Sequence, residues 1–300
     1  MHRKFLEKSA AILVMLIAST ALPVLAGQKH VTDQWGREMM VPDNPQKVVS
    51  LAPSITEIIY ALGQETRIAG ATVYSNFPEA ARALPRVGSY VKLDIERIAA
   101  LSPDLCIAIK EGNPIAAVRR IESLGTSVFA VNPTDLWTML DAVDQIGMLL
   151  NAEDKARETI VRLESRINAV RQAVQKAGTK PRLFFQIGIS PIVGAGSSTF
   201  LHNLIEQAGG KNTSAGPTAY PRYSREQVIH LDPEVIIIST MARDTAFDQV
   251  KAEWEKWPAI TAVRSGRIHI VNSDIFNRAS PRLVDGLEIL ARLLHPELFP

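Results

Sequence analysis

Two residue pairs repeat at one spacing: Tyr90 stands six residues before Glu96, and Tyr220 six residues before Glu226. Aromatic residues are only 6% of the 300-residue chain, so a tyrosine repeated in register is informative. Tyrosine offers a rigid apolar face and a polar tip at low entropic cost. One ring on each side of a crevice would grip a flat or bulky ligand; the alternative is that each ring packs on its own half of the molecule. The glutamates also admit two readings. Each opens a short helical segment, where the helix dipole favours a carboxylate. One carboxylate on each of two related halves also suits docking onto a partner that is itself a two-fold dimer.

The motifs of familiar catalytic sites are missing. There is no Gly-x-x-x-x-Gly-Lys-Ser/Thr loop, no His-Glu-x-x-His pair and no Gly-x-Ser-x-Gly elbow. Gly194-Ala195-Gly196 lacks the third glycine of a dinucleotide loop and reads as a flexible turn before a helix. His30, His202, His230, His269 and His295 share no metal-ligand spacing, and His269, between Ile268 and Ile270, reads as a strand histidine. Cys106, the single cysteine, sits between Leu105 and Ile107 and reads as a buried thiol. Alone it makes no internal disulfide and no multi-cysteine zinc or iron–sulfur site. The expectation is therefore no catalytic residue, no metal ligand and no resident cofactor. An exported hydrolase whose active site is assembled from distant residues is the alternative from a different class. A chain with 46% hydrophobic and 21% charged residues is not disordered. With 33 Lys+Arg against 31 Asp+Glu, it lacks the basic excess that nucleic-acid binding requires.

The elements that must position these residues read as α/β units. The apolar run Lys47–Leu51 predicts a strand, and Ser54-Ile55-Thr56-Glu57 predicts a helix opened by a capping box and stopped at Gly63. Further strands are predicted over 104–109 and 127–131, with helices between them, which points to parallel strands. Ile160, Leu163, Ile167, Val170 and Val174 alternate steps of three and four, predicting one long amphipathic helix over 154–175. A second strand–helix series starts at Arg182. It echoes the first: Glu96–Ile107 and Glu226–Ile237 share the pattern acid-x-aliphatic-x-x-Leu-x-Pro-acid-aliphatic-x-Ile, and Gly125–Asn132 resembles Gly266–Asn272. The expected organisation is an N-terminal α/β lobe (27–152), a linking helix (153–178) and a C-terminal α/β lobe (179–300), with a ligand cleft between the lobes. Ahead of them, Arg3, Lys4 and Lys8 against Glu7 account for the whole net charge of +2, and the apolar run Ala10–Ile17 leads to Val24-Leu25-Ala26. This predicts a signal peptide over 1–26, cleaved after Ala26, and a soluble periplasmic chain with no membrane insertion after cleavage.

Val48-Val-Ser-Leu-Ala-Pro-Ser-Ile-Thr-Glu57, followed by Leu62-Gly63, resembles the periplasmic substrate-binding proteins of the metal-chelate class, the siderophore, haem and cobalamin receptors of ABC importers. Tyr74-Ser-Asn-Phe-Pro78, Tyr90 through Asp104, Gln186-x-Gly188, Ser224–Val228 and Ser273–Arg282 make it most similar to the cobalamin-binding members, over roughly Lys47 to Leu294. The resemblance implies two rigid lobes that move little on binding and a corrin ring held edge-on in the cleft. It implies ligand contacts at Tyr74, Tyr90, Tyr220, Asp274 and Arg278, the last two suited to amide side chains. It also implies that Glu96 and Glu226 dock onto arginines of a permease dimer. Cobalamin or a related corrinoid is then the transported ligand rather than a cofactor, and the free receptor is a monomer. Haem, with an axial oxygen from Tyr74 or Tyr90, or a siderophore is the alternative within the class. The sequence departs from the family at four aromatic positions: Ile109 and Val193 replace aromatic residues, and Tyr90 and Tyr220 replace tryptophans. The cleft is thus expected to be less aromatic.

Overall fold

The computed structural model describes residues 27–239 and 247–299, and the expected signal peptide lies outside them. A hairpin of β1 (Gln28–Thr32) and β2 (Glu38–Pro42) leads into the N-terminal lobe. That lobe runs β3 (Val48–Ser50), α1 (Pro53–Ala61), β4 (Ile68–Ala71), α2 (Ile95–Ala100), β5 (Leu105–Ile109), α3 (Ile115–Ser123), β6 (Ser127–Val131) and α4 (Leu136–Leu149). The 22-residue α5 (Glu153–Val174), about 33 Å long at 1.5 Å per residue, carries the chain across. The C-terminal lobe runs β7 (Arg182–Gln186), β8 (Ile192–Val193), α6 (Phe200–Gln207), β9 (Lys211–Asn212), β10 (Arg222–Tyr223), α7 (Arg225–Leu231), β11 (Val235–Ile238), α8 (Phe247–Glu255), α9 (Thr261–Arg264), β12 (Ile268–Ile270), α10 (Ser273–Phe276) and α11 (Leu283–Leu294). The protein is thus two α/β lobes, each built on a parallel four-stranded sheet and joined by one long helix.

The internal repeat is a repeat of topology. The sheets are ordered β4-β3-β5-β6 and β9-β7-β11-β12, so the strands of each lobe follow one plan. The shared Leu-x-Pro-acid turn also has one structure. Ser102 and Asp232, its variable residues, both take left-handed backbone (φ 46° and 42°). The acid that follows the proline ties the turn to the first strand of its own sheet. Asp104 accepts from the Gln46 and Lys47 amides at 2.7 and 2.9 Å, and Glu234 accepts from the Arg182 amide at 2.9 Å.

Strand alternation divides the core. Leu105 and Ile107 of β5, Leu183 and Phe185 of β7, and Val235 and Ile237 of β11 enter one continuous apolar cluster with α4, α5 and α11. Their neighbours Cys106 and Ala108, and Phe184, Ile236 and Ile238, face separate outer clusters, one per lobe. Helix α5 contributes Ala156, Leu163, Ile167 and Val170 to the shared cluster, and Arg166 on its flank bonds Asp285 and Glu288 of α11 at 2.7 and 2.8 Å. Burying each large aliphatic side chain is worth about 1.5–3 kcal/mol, so pulling the lobes apart would expose part of a common core.

Two local expectations change. The capping box at Ser54 and Glu57 does not form. Helix α1 begins at Pro53 after Ala52 with no side-chain cap, because the Glu57 carboxylate is turned into the protein interior. Gly63 does end that segment, with φ +67°. Gly194 and Gly196 do sit in the turn before α6, but close packing rather than flexibility requires them: a Cβ on Gly196 would strike the Thr218 carbonyl, and one on Gly194 would strike Ser214. Cys106 is fully buried, and burial pushes its thiol up to about 12.

Candidate functional site

A cavity of about 540 Å³ opens between the lobes, lined by residues of both. Its walls come from the carboxyl ends of the parallel strands and the loops that follow them, the usual ligand position in open α/β sheets. The structure brings all five sequence-predicted ligand residues, Tyr74, Tyr90, Tyr220, Asp274 and Arg278, to this one cavity. Ile109 also lines it; Val193, paired with Arg222 in the β8–β10 ribbon, does not.

The three tyrosines have different supports. Tyr90 is fixed from behind by the loop after β5. Asn113, buried there, donates to the Leu51 and Tyr90 carbonyls at 2.9 and 2.7 Å and accepts from the Ile109 amide at 2.8 Å. Gly112 (φ +124°) lies against the Tyr90 ring, and a Cβ there would stand 2.7 Å from a ring carbon. Tyr74 meets Tyr90 edge-on, with ring centroids 6.1 Å apart at 64°. Tyr220 comes from the other lobe, and its hydroxyl faces the Glu111 carboxylate across the cleft. Burial, and then the hydrogen bond and charge of Glu111, push its phenol far above the ordinary range. Burial, then the neighbouring Tyr74 and Glu111, raise the Tyr90 phenol too. Tyr74 and Tyr220 each keep 37% exposure.

Beneath the rings lies a polar cluster that joins the lobes. Arg278, 8% exposed, donates to Glu57 Oε1 at 2.8 Å, Asn76 Oδ1 at 2.8 Å, the Tyr74 carbonyl at 3.0 Å and Asp274 Oδ1 at 2.5 Å. Asn76 Nδ2 donates to Asp274 Oδ2 at 2.7 Å, and the Ser280 hydroxyl donates to Glu57 Oε2 at 2.6 Å. Burial raises the Glu57 carboxyl against the opposing pull of Ser280 and Arg278. Arg278 and Asp274 therefore line the cavity while their polar atoms bind each other and the opposite lobe.

Glu57, Asn76, Glu111, Gly112 and Asn113 were not singled out as site residues from the sequence. For Glu111 a signal existed: a carboxylate followed by glycine just past the end of a buried parallel strand. Glu57 gave a misleading one, since its spacing from Ser54 matched a cap.

Glu96 and Glu226 lie outside the cavity at equivalent positions. Each is the second residue of its helix, exposed, and follows a capping residue: Asp94 accepts from the Arg97 amide at 3.1 Å, and Ser224 from the Gln227 amide at 3.3 Å. The Glu226 carboxyl is held below its usual range by its own backbone amide and by Ser224. Among the described residues no group of three or more His, Cys, Asp or Glu side chains could hold a metal ion, and no helix is long and apolar enough to cross a membrane.

Two α/β lobes around a cleft lined by tyrosines define a class of binding proteins. The chain belongs to the periplasmic binding protein family, whose pattern it matches over residues 48–275. It is 30% identical to a vitamin B12-binding protein of Yersinia pestis over 240 residues, 80% of this chain and 82% of that protein. Its fold is similar to that of the periplasmic vitamin B12 binding protein BtuF of Vibrio cholerae, with TM-score 0.77, 26% identity and coverage of 86% of this chain and 100% of that one. A periplasmic heme binding protein from Pseudomonas aeruginosa is similarly close, with TM-score 0.76, 27% identity and coverage of 84% and 93%.

Proposed function

We propose that this chain is a periplasmic receptor that captures cobalamin or a related corrinoid and delivers it to the permease of an ABC importer. The observation that carries the reading is the cleft, where Tyr74 and Tyr90 of one lobe face Tyr220 of the other across a cavity of about 540 Å³. Such rings hold a flat, bulky ligand by its faces and edges. The likeness to the vitamin B12-binding protein of Yersinia pestis supports the choice of ligand. The lobes are residues 27–152 and 179–300 on either side of the linking helix 153–178, and the shared apolar core favours a receptor that moves little on binding. The chain is exported to the periplasm by the signal peptide over 1–26, cleaved after Ala26, acts as a monomer without catalysing a reaction, and takes the corrinoid as cargo rather than cofactor. Glu96 and Glu226, one per lobe, dock onto the two halves of the permease dimer.

Titrating the purified protein with cyanocobalamin in a calorimeter tests the ligand, and absence of heat at micromolar concentrations removes it. The likeness to the heme binding protein of Pseudomonas aeruginosa makes haem the second reading. A Soret shift with hemin, in a protein that ignores cobalamin, would replace the first reading with it. Glu96→Ala with Glu226→Ala should leave ligand affinity intact and abolish uptake through the cognate permease; undiminished uptake would remove the docking role.

A further inference from the structure

Tyr74 stands third in a four-residue turn whose ends are gripped from two sides. The Ser75 amide closes the turn onto the Thr72 carbonyl at 3.0 Å. On one side, buried hydroxyls run from Ser50 of β3 through Thr56 of α1 to Ser75 and then Thr72, at successive distances of 2.8, 2.9 and 3.1 Å. On the other side stands Arg86. Its Nη1 donates to the Thr72 and Ser75 carbonyls, the two ends of the turn, at 2.8 and 2.9 Å. Its Nη2 donates to the Ala81 and Arg82 carbonyls, where the same loop returns, at 3.2 and 2.7 Å. The four Nη hydrogens of the guanidinium thus meet four main-chain carbonyls.

The backbone of Arg86 is itself anchored. Ala71, the last residue of β4, donates to the Pro85 carbonyl at 2.9 Å and accepts from the Val87 amide at 3.1 Å. Two residues beyond Arg86, the Gly88 carbonyl accepts from the Val73 amide at 2.9 Å, and the Ser89 amide closes the next turn, the one that presents Tyr90, onto the Lys92 carbonyl at 2.9 Å. Arg86 therefore belongs by its main chain to the segment that carries Tyr90, and by its side chain to the turn that carries Tyr74. It stands outside the cavity lining, yet it connects the supports of the two rings that meet edge-on at 6.1 Å. A lysine ammonium is a point charge and cannot span two pairs of carbonyls as a planar fork does. Taking the proposed receptor role as its basis, we infer that Arg86 is a positioning residue for the ligand. It fixes the Tyr74 turn against the Tyr90 segment, and so sets how the two rings of the N-terminal lobe stand toward what enters the cleft.

The test is a double-mutant cycle. Cyanocobalamin binding is measured by calorimetry in wild type, Arg86→Lys, Tyr74→Ala and the double variant, with the stoichiometry reporting the folded fraction. Arg86→Lys should weaken binding about tenfold when Tyr74 is present, and by less than about twofold in the Tyr74→Ala background. A residue that merely stabilised the fold would cost the same in both backgrounds. Equal losses therefore overturn the inference, as does no loss when Tyr74 is present. A Tyr74→Ala protein that binds like wild type overturns it too, while leaving the receptor role standing. If Arg86→Lys does not fold, Arg86→Gln, which retains two of the donors, takes its place in the cycle. If wild type binds no cyanocobalamin, the receptor reading falls, and the placing of the turn by Arg86 is read on hydrogen exchange at the Val73 and Ser75 amides. Faster exchange there in Arg86→Lys, with the β5 amides unchanged, sustains the placing; unchanged exchange overturns it.

Discussion

The floor and the mouth of the cleft are built on opposite plans. At the floor, Glu57 and Asn76 from one lobe and Asp274, Arg278 and Ser280 from the other exchange hydrogen bonds of 2.5–2.8 Å. At the mouth, Tyr74, Tyr90, Tyr220 and Glu111 present rings and one carboxylate to open space. Buried charge is tolerated only when it is paired and hydrogen-bonded, and the floor meets that condition internally. The difference implies that one set of residues determines how the lobes sit and another determines what enters between them.

Arg278→Met offers the largest break in this comparison. Removing one partner of a buried ion pair costs about 3–5 kcal/mol, read as a fall in melting temperature of about 10 °C. The loss should also depend on pH. Burial already raises the Glu57 carboxyl, and without the guanidinium it rises further. A carboxyl raised in the folded state stabilises most below its unfolded value and loses that contribution as pH rises through its folded value. The variant should therefore fall furthest behind wild type at neutral pH and recover part of the gap toward pH 4. Unchanged stability with weakened ligand binding would move Arg278 from the floor to the ligand.

The mouth should respond in the reverse sense. Tyr90→Ala and Tyr220→Ala should each weaken corrinoid binding about tenfold or more, as loss of a central aromatic contact does. Each should leave the denaturation midpoint close to wild type, because Tyr220 is over a third exposed and Tyr90 is only half-buried. Asn113→Ala falls between the two regions. It frees the Leu51 and Tyr90 carbonyls and the Ile109 amide, costing about 1–3 kcal/mol of stability. It should lower affinity only a few-fold, through a looser Tyr90. An Asn113→Ala protein that binds as poorly as Tyr90→Ala would show that positioning matters as much as the ring itself.

Much of the fold was legible in the sequence because hydrophobic periodicity and proline turns are local signals. The echo of Glu96–Ile107 in Glu226–Ile237 became one strand order in both sheets, down to the left-handed Ser102 and Asp232. Tyr90 and Tyr220 were legible for the same reason, since their spacing from the glutamates repeats, whereas Tyr74 was reached only through the family resemblance. The floor was not. Glu57 and Arg278 are far apart in the chain and meet only through tertiary packing, so the local spacing of Ser54 and Glu57 suggested a helix cap instead. Arg278 and Asp274 were found as cavity residues, but their mutual bonding depends on the opposite lobe, which no local pattern encodes.

The smallest expected effect probes how the mouth is held together. Tyr90 and Tyr220 both have raised phenols, through burial first and then through Glu111 and their neighbouring tyrosines. An acid raised in the folded state keeps its stabilising contribution up to its unfolded value, near 10 for a phenol, and loses it as pH rises through the folded value. In an alkaline titration followed by phenolate absorbance, these two should ionise late, together with loss of the native fold, as should Tyr60, whose phenol burial and Glu65 also raise. Glu111→Gln removes a negative charge from beside both rings, so it should bring the late phase to lower pH, more for Tyr220, where Glu111 is also the hydrogen-bond partner. If the late phase is unmoved, burial alone holds the rings, and the contact across the cleft between Tyr220 and Glu111 plays no part in shaping the mouth. If it moves, one side chain couples the two lobes at the mouth much as Arg278 couples them at the floor, but weakly enough for a ligand to displace it.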